Sequence, residues 1–134
     1  MAPDHNLTTV LCIEDNASNL RLMERIFALR PEAHLLTATE GAAGLDLARE
    51  HQPELVILDL NLPDLAGDEV LGQLRANPGT QDTPVIVASA DATRPQIERA
   101  RAAGATEYMT KPLQVQKVLE AVDSYLEAAT MNGP

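Results

Sequence analysis

The sequence predicts an α/β fold in which helices cover both faces of a doubly wound, five-stranded parallel sheet. Three observations predict it. Short apolar runs alternate with helix-patterned segments along the chain, five of each. The clearest runs, Leu55-Val56-Ile57-Leu58 and Val85-Ile86-Val87-Ala88, are apolar at every position. Strands covered on both faces read that way, whereas half-exposed strands alternate. The chain has 134 residues, 45% of them hydrophobic, which is enough for one sizeable core. Aromatic residues make up 2%, so Val, Leu, Ile and Ala must build that core.

The elements follow in order. Thr9-Val10-Leu11-Cys12-Ile13 is the first strand, ending at acids. Asn19 to Leu29 has helical spacing, with Leu20, Met23 and Phe27 on one stripe, and Pro31 stops it. Leu35 to Ala38 is the second strand. Gly41 to His51 is a weaker helix with two glycines, its stripe marked by Ala43 and Leu47, and Pro53 closes it. Leu55 to Leu58 is the third strand, and Asp68 to Ala76 is helical. Asn77-Pro78-Gly79 is a turn before the fourth strand, Val85 to Ala88. Thr93, Pro95 and Gln96 predict a helix start closed by a capping box. Ile97, Ala100 and Gly104 give that helix a thin apolar stripe. Thr106 to Met109 is the last strand. Val115, Val118, Leu119, Val122 and Leu126 mark a strong amphipathic final helix.

Charge and composition remove several function classes. The net charge is −10, which a nucleic-acid backbone would repel. No apolar stretch approaches the roughly 20 residues of a membrane span. Met1 to Leu7 is polar and contains Asp4, unlike a signal peptide. The single cysteine, Cys12, lies in an apolar run and reads as a buried, inert thiol in a reducing compartment. The expectation is a soluble cytoplasmic protein, one domain over 1–134 with a core of about 8–128. Loose ends are expected at Met1–Asn6 and Thr130–Pro134.

In sheets of this kind, ligands bind beyond the carboxyl ends of the strands, where strand order reverses. After the first run come Glu14 and Asp15, and after the third come Asp59, Leu60 and Asn61. Ser89, Ala90 and Asp91 follow the fourth, and Thr110, Lys111 and Pro112 the fifth. Taken singly, each has a bland reading. Asp15 reads as a helix cap, Ser89 is unremarkable, and Lys111 is a solvated surface charge. Together they bring three carboxylates, a hydroxyl and an ammonium to one rim. Carboxylates within about 4 Å repel by roughly 1 kcal/mol in water and about 4 kcal/mol at an effective dielectric of 20. A cation relieves that repulsion, and oxygen-only ligands select a hard ion such as Mg²⁺. No Gly-rich phosphate loop is present, and the turn Glu14-Asp15-Asn16-Ala17-Ser18 contains no glycine. His5, His34 and His51 are scattered, and none lies on this rim.

These residues resemble the receiver domains of two-component response regulators, over about Val10 to Leu126. The resemblance rests on four motifs in order. They are Ile13-Glu14-Asp15-Asn16, then Leu58-Asp59-Leu60-Asn61-Leu62-Pro63 with Gly67, then Val87-Ala88-Ser89-Ala90, and finally Gly104-Ala105 followed by Tyr108-Met109-Thr110-Lys111-Pro112. The chain departs from common family usage at four positions. Glu14 stands where many relatives carry Asp, Ser89 where many carry Thr, Leu62 in place of Met and Leu113 in place of Phe.

The resemblance implies a flavodoxin-like (βα)5 fold with strand order 2-1-3-4-5. It implies that Asp59 takes a phosphoryl group from a phosphohistidine on a histidine kinase or a histidine phosphotransfer protein. It implies Mg²⁺, with Mn²⁺ as a substitute, held by Asp15, Asp59 and the Asn61 carbonyl, with Glu14 assisting. Lys111 is expected to pair with a phosphoryl oxygen, aimed by a cis Lys111–Pro112 peptide. Ser89 is expected to move toward the phosphoryl group and Tyr108 to turn from solvent toward the core. Asn61 and Asp91 occupy the positions that tune dephosphorylation in relatives, which implies a short-lived phosphorylated state. The resemblance also leaves room for a homodimer through the last-helix face, and for no membrane or direct nucleic-acid contact.

Two rival classes stay open. A haloacid-dehalogenase-like phosphatase also uses an aspartate at a strand end, but it needs a second aspartate where this chain has Asn61. Steady turnover of a phosphomonoester would reveal it. A pseudo-receiver would keep the fold with a dead pocket and take up no phosphoryl group. Only Glu127 to Pro134 remain beyond the stripe of the last helix, too few for a DNA-binding unit. Output is therefore expected through protein contact or onward phosphotransfer, whether the chain stands alone or belongs to a larger kinase or regulator.

Overall fold

Strands and helices alternate from Thr8 to Met131: β1 (Thr8–Ile13), α1 (Ala17–Ala28), β2 (Ala33–Ala38), α2 (Gly41–His51), β3 (Leu55–Asp59), α3 (Gly67–Ala76), β4 (Val85–Ser89), α4 (Arg94–Ala103), β5 (Glu107–Thr110) and α5 (Val115–Met131). The structure is a computed structural model and describes residues 7–131. The expected loose end at Met1–Asn6 therefore lies outside the described residues, as do the last three positions. Thr130 and Met131 belong to α5, so that helix runs further than expected.

All four strand pairings are parallel, and the order is β2-β1-β3-β4-β5, as the resemblance implied. Side chains alternate across each strand. Leu11, Ile13, Val56, Leu58, Val85 and Val87 face one core with Leu45, Ala48, Val70, Leu71, Leu74 and Ala100 from α2, α3 and α4. Val10, Cys12, Leu55, Ile57 and Ile86 face the other, with Met23, Ile26 and Phe27 of α1 and Val118, Val122 and Leu126 of α5. The double apolar coding of β3 and β4 thus has its cause in two helical layers. Each fully buried Leu, Val or Ile contributes about 1.5–3 kcal/mol. Burial pushes the Cys12 thiol up to about 12, aided by the charges of Glu14 and Asp59.

Two helices differ from expectation. In α2 the buried face is Gly41, Gly44, Leu45 and Ala48, while Ala43 is exposed and Leu47 only half-buried. The helix sits so close to β1 that a Cβ at Gly44 would lie 2.4 Å from Ile13 Cδ1. An apolar stripe cannot be read through residues that have no side chain. In α4 the capping box does not form. Thr93 is the N-cap residue but makes no side-chain cap bond, and its N–H donates to Asp91 Oδ1 at 2.9 Å. Gly104 lies just past the helix as its C-cap, with φ 117°, where a side chain would be strained.

The C-terminal end of α4 is fastened to α3 by Arg75. Its guanidinium donates to the carbonyls of Gly104 at 2.7 and 3.1 Å, Thr83 at 2.7 Å, Gln81 at 3.2 Å and Thr80 at 3.3 Å. These bonds join the end of α3, the turn before β4 and the end of α4.

Candidate functional site

β1 and β3 are neighbours whose following helices lie on opposite faces, so a crevice opens at their carboxyl ends. Ile13 pairs with Leu58, which sets Glu14 level with Asp59. Glu14 and Asp59 are buried, at 4% and 3% exposure, and Asp15 is exposed. One carboxylate oxygen from each of the three lies within 4.8 Å of the others. Lys111 arrives from the end of β5, its Nζ 3.0 Å from Glu14 Oε1 and 3.4 Å from Asp59 Oδ1. The Lys111–Pro112 peptide is cis.

Local hydrogen bonds orient each carboxylate. Glu14 Oε2 accepts the Asn16 N–H at 3.2 Å, and Oε1 accepts from Asn19 Nδ2 at 3.2 Å. Asp59 Oδ1 accepts the Asn61 N–H at 3.1 Å. Asn16 caps α1 by accepting the Asn19 N–H, so the cap is Asn16 and Asp15 remains free of that duty. Burial, and then the Asp59 carboxylate, raise the pKa of Glu14 above the ordinary glutamate value, against the opposing pull of Lys111. Burial pulls Lys111 down, but Glu14 and Asp59 outweigh it and hold the ammonium above its ordinary value.

Three carboxylates against one ammonium leave negative charge in excess. The donors are all oxygen, and Asp15 stands on the open side, reachable by water. This donor set fits a hard divalent cation. The exposed residue Asn61 follows Asp59 by two positions and pairs with Ala66 across the loop, so its backbone is held at the rim.

On the other side of Asp59, β4 brings Ser89, one position past Ala88, the register partner of Asp59. Ser89 is buried, and its Oγ accepts the Asp91 N–H at 3.2 Å. The Asp91 carboxylate is exposed, and hydrogen bonds from Thr93 lower its pKa. The expectation had Tyr108 starting in solvent. It is half-buried here, packed against the core on the α4 side, with its hydroxyl bound to the Asp91 carbonyl at 2.5 Å. The Lys111 N–H donates to the Ser89 carbonyl at 2.8 Å, which fixes the lysine's starting point beside that serine.

Sequence reasoning overlooked Asp64. Its Oδ1 accepts the Gly41 N–H at 2.7 Å and its Oδ2 the Ala42 N–H at 2.9 Å. It therefore caps α2 from a loop more than twenty residues away. One signal was available: the residue before Gly41 is Glu40, not one of the Ser, Thr, Asp or Asn residues that cap helices, so the first N–H groups of α2 needed acceptors from elsewhere.

The family model described as the response regulator receiver domain matches residues 10–123. The polar-differentiation response regulator DivK of Brucella ovis is 35% identical over 118 residues, spanning 88% of this chain and 95% of that protein. The fold is also similar to the receiver domain of a sensor histidine kinase from Pseudomonas aeruginosa PAO1, solved with a magnesium ion coordinated in its active site cleft. That likeness has a TM-score of 0.81 at 21% identity and covers 90% of this chain and 98% of that one. The Mn²⁺-bound form of response regulator Rcp1 is similar with a TM-score of 0.75 at 22% identity, covering 95% of this chain and 97% of that one.

Proposed function

This chain belongs to the response regulator receiver family of two-component signalling, and from that premise we propose that Asp59 is its phosphoacceptor. Members of this family are signalling modules, not turnover enzymes. The observation that carries the assignment is the buried Asp59 carboxylate, within 4.8 Å of Glu14 and Asp15 and 3.4 Å from Lys111 Nζ. We take the chain as one receiver domain with a core of about 8–128.

The donor in this reading is a phosphohistidine on a histidine kinase or phosphotransfer protein. An Asp59 oxygen attacks phosphorus in line with the leaving imidazole. The P–O bond forms as the P–N bond breaks, and the imidazole nitrogen keeps the electron pair and gains a proton. Asp15, Asp59, the Asn61 carbonyl and Glu14 would hold Mg²⁺, or Mn²⁺ in its place. When bound, the ion supplies charge neutralisation between the carboxylates and the incoming phosphoryl oxygens. Lys111 is already poised beside Asp59 and would exchange its carboxylate partners for a phosphoryl oxygen.

The Ser89 hydroxyl would then leave the Asp91 N–H for the phosphoryl group, shifting Asp91 and so the carbonyl that holds Tyr108. This biases an existing equilibrium of the α4, β5 and α5 face toward a different partner-binding surface. A homodimer through the α5 face belongs to the same proposal, and sedimentation before and after phosphorylation checks it. Among the described residues no helix is long and apolar enough to cross a membrane. We place the protein in the cytoplasm, where two-component phosphotransfer occurs. Asn61 and Asp91 are both exposed and polar and would admit the hydrolytic water, giving a phosphorylated state that lasts minutes. Phosphoprotein that survives many hours with Mg²⁺ would contradict that lifetime.

The deciding experiment is incubation with acetyl phosphate and Mg²⁺, read by intact mass. The expected result is one phosphoryl adduct on the wild type and none on Asp59→Asn. A wild-type protein that never gains the mass has a dead pocket, and the assignment falls.

A further inference from the structure

The rim carrying the three carboxylates is built from two separate pieces of chain. Glu14 and Asp15 follow β1, whereas Asp59 ends β3 and Asn61 lies in the long loop between β3 and α3. That loop closes on itself through the Gly67 N–H donating to the Leu60 carbonyl at 3.2 Å. Its outer part is tied elsewhere. Asp64 accepts the first two N–H groups of α2, and a Cβ on Gly41 would lie 3.1 Å from the Leu65 side chain. The loop is thus fastened to the start of α2 by a two-point polar contact and an adjoining apolar one.

The start of α2 is in turn registered to the acidic pair. The Glu14 N–H donates to the Ala38 carbonyl at 2.9 Å, and two residues separate Ala38 from Gly41. A closed circuit results, from Glu14 to Ala38, along the chain to Gly41, across to Asp64, back along the loop to Asn61, onto Asp59 Oδ1, and home through the β1–β3 pairing of Ile13 with Leu58. Every step is a hydrogen bond or a few residues of chain. Remove Asp64 and the circuit opens on the side that presents the Asn61 backbone.

We propose that Asp64 is a positioning residue for the cation site, holding the loop after Asp59 in register with Glu14 and Asp15. Asp64 touches neither the carboxylate cluster nor the reacting atoms. It acts by stapling the loop to α2, whose own N-cap residue makes no side-chain bond. The inference rests on the phosphoacceptor reading, because it assigns Asp64 to the geometry of that same site. Groups that orient ligands from one layer out are typically worth about tenfold or more in metal affinity.

The experiment titrates Mg²⁺ alone into the wild type, Asp64→Ala and Asp64→Asn, following the melting temperature, and then measures acetyl phosphate uptake across the same Mg²⁺ series. Asp64→Asn keeps one carbonyl oxygen for one of the two N–H groups. The expected result is a half-maximal Mg²⁺ concentration about tenfold higher for Asp64→Ala. Asp64→Asn should recover part of that loss, and uptake should approach the wild-type rate at saturating Mg²⁺. If Asp64→Ala fails to melt cooperatively, Asp64→Asn carries the comparison, with a smaller shift in the same direction. Lower melting temperatures with an unchanged Mg²⁺ midpoint in the variants would overturn the proposal and leave Asp64 a helix cap only. A wild type that neither responds to Mg²⁺ nor takes up phosphoryl would overturn the phosphoacceptor reading, and this inference with it.

Discussion

The Tyr108 hydroxyl donates to the Asp91 carbonyl at 2.5 Å, and the Asp91 N–H is bound to Ser89 Oγ at 3.2 Å. One residue's two backbone groups therefore tether both side chains that the switch would use. Movement of either hydroxyl pulls on the same short segment before α4.

Tyr108→Phe removes one end of this tether and leaves the ring packing in place. It should cost about 1 kcal/mol in urea denaturation. Uptake of phosphoryl at Asp59 should stay close to wild type, while affinity for an output partner changes between the two phosphorylation states by less than in the wild type. If uptake falls as far as in Asp59→Asn, the tyrosine serves the chemistry rather than the readout.

Stability should depend jointly on Mg²⁺ and pH. A raised Glu14 pKa means that the folded protein keeps a proton the unfolded chain releases. That contribution is fully present below the ordinary value of 4.5 and is lost as pH rises through the folded value. A divalent ion offsets the repulsion that appears once Glu14 ionises. Millimolar Mg²⁺ should therefore raise the melting temperature clearly at neutral pH and progressively less toward pH 4.5. A Mg²⁺ response that is absent, or that grows on acidification, would refute this electrostatic account.

Two glycines in neighbouring helices should respond oppositely to alanine. At Gly44 the added Cβ meets Ile13 Cδ1 at 2.4 Å and Cγ1 at 2.7 Å, and Ile13 is fully buried. Gly44→Ala should lose about 1–3 kcal/mol through overpacking. At Gly72 a Cβ meets nothing within 4 Å, on the exposed side of α3. Gly72→Ala should gain about 0.5–1 kcal/mol from helix propensity. Equal effects in denaturant melts would show that the α2–β1 approach is looser than these distances indicate.

Arg75→Ala strips donors from the carbonyls of Thr80, Gln81, Thr83 and Gly104. The expected loss is about 2 kcal/mol. Arg75→Lys should recover only part of it, since an ammonium is a single point donor where the guanidinium is a planar fork. A full rescue by lysine would mean that charge alone, not the fork, fastens α4.

Much of this molecule was legible in its amino acids, for a physical reason. Strands buried on both faces stay apolar until their carboxyl ends, so β3 and β4 announce themselves, and the polar residues that close them, Asp59 and Ser89, mark where the chemistry sits. Glu14, Asp15, Asp59 and Lys111 were placed that way and do converge. Contacts that local pattern cannot encode were illegible. The face of α2 was misread because its closest approach to the sheet is made by Gly44. Thr93 and Gln96 spelled a capping box, but Asp91 claimed the Thr93 N–H instead. Asp64 drew no reading at all, because its partners lie on another helix more than twenty residues away.

The lone thiol beneath the acidic rim serves as an internal stopwatch. Cys12 is 1% exposed and points toward the layer formed by α1 and α5, not toward the side of the sheet covered by α2, α3 and α4. With its pKa near 12, it is almost entirely protonated and sealed in the native state. A thiol-reactive dye must wait until that layer peels back, so its labelling rate times the detachment of one half of the sandwich, blind to the other.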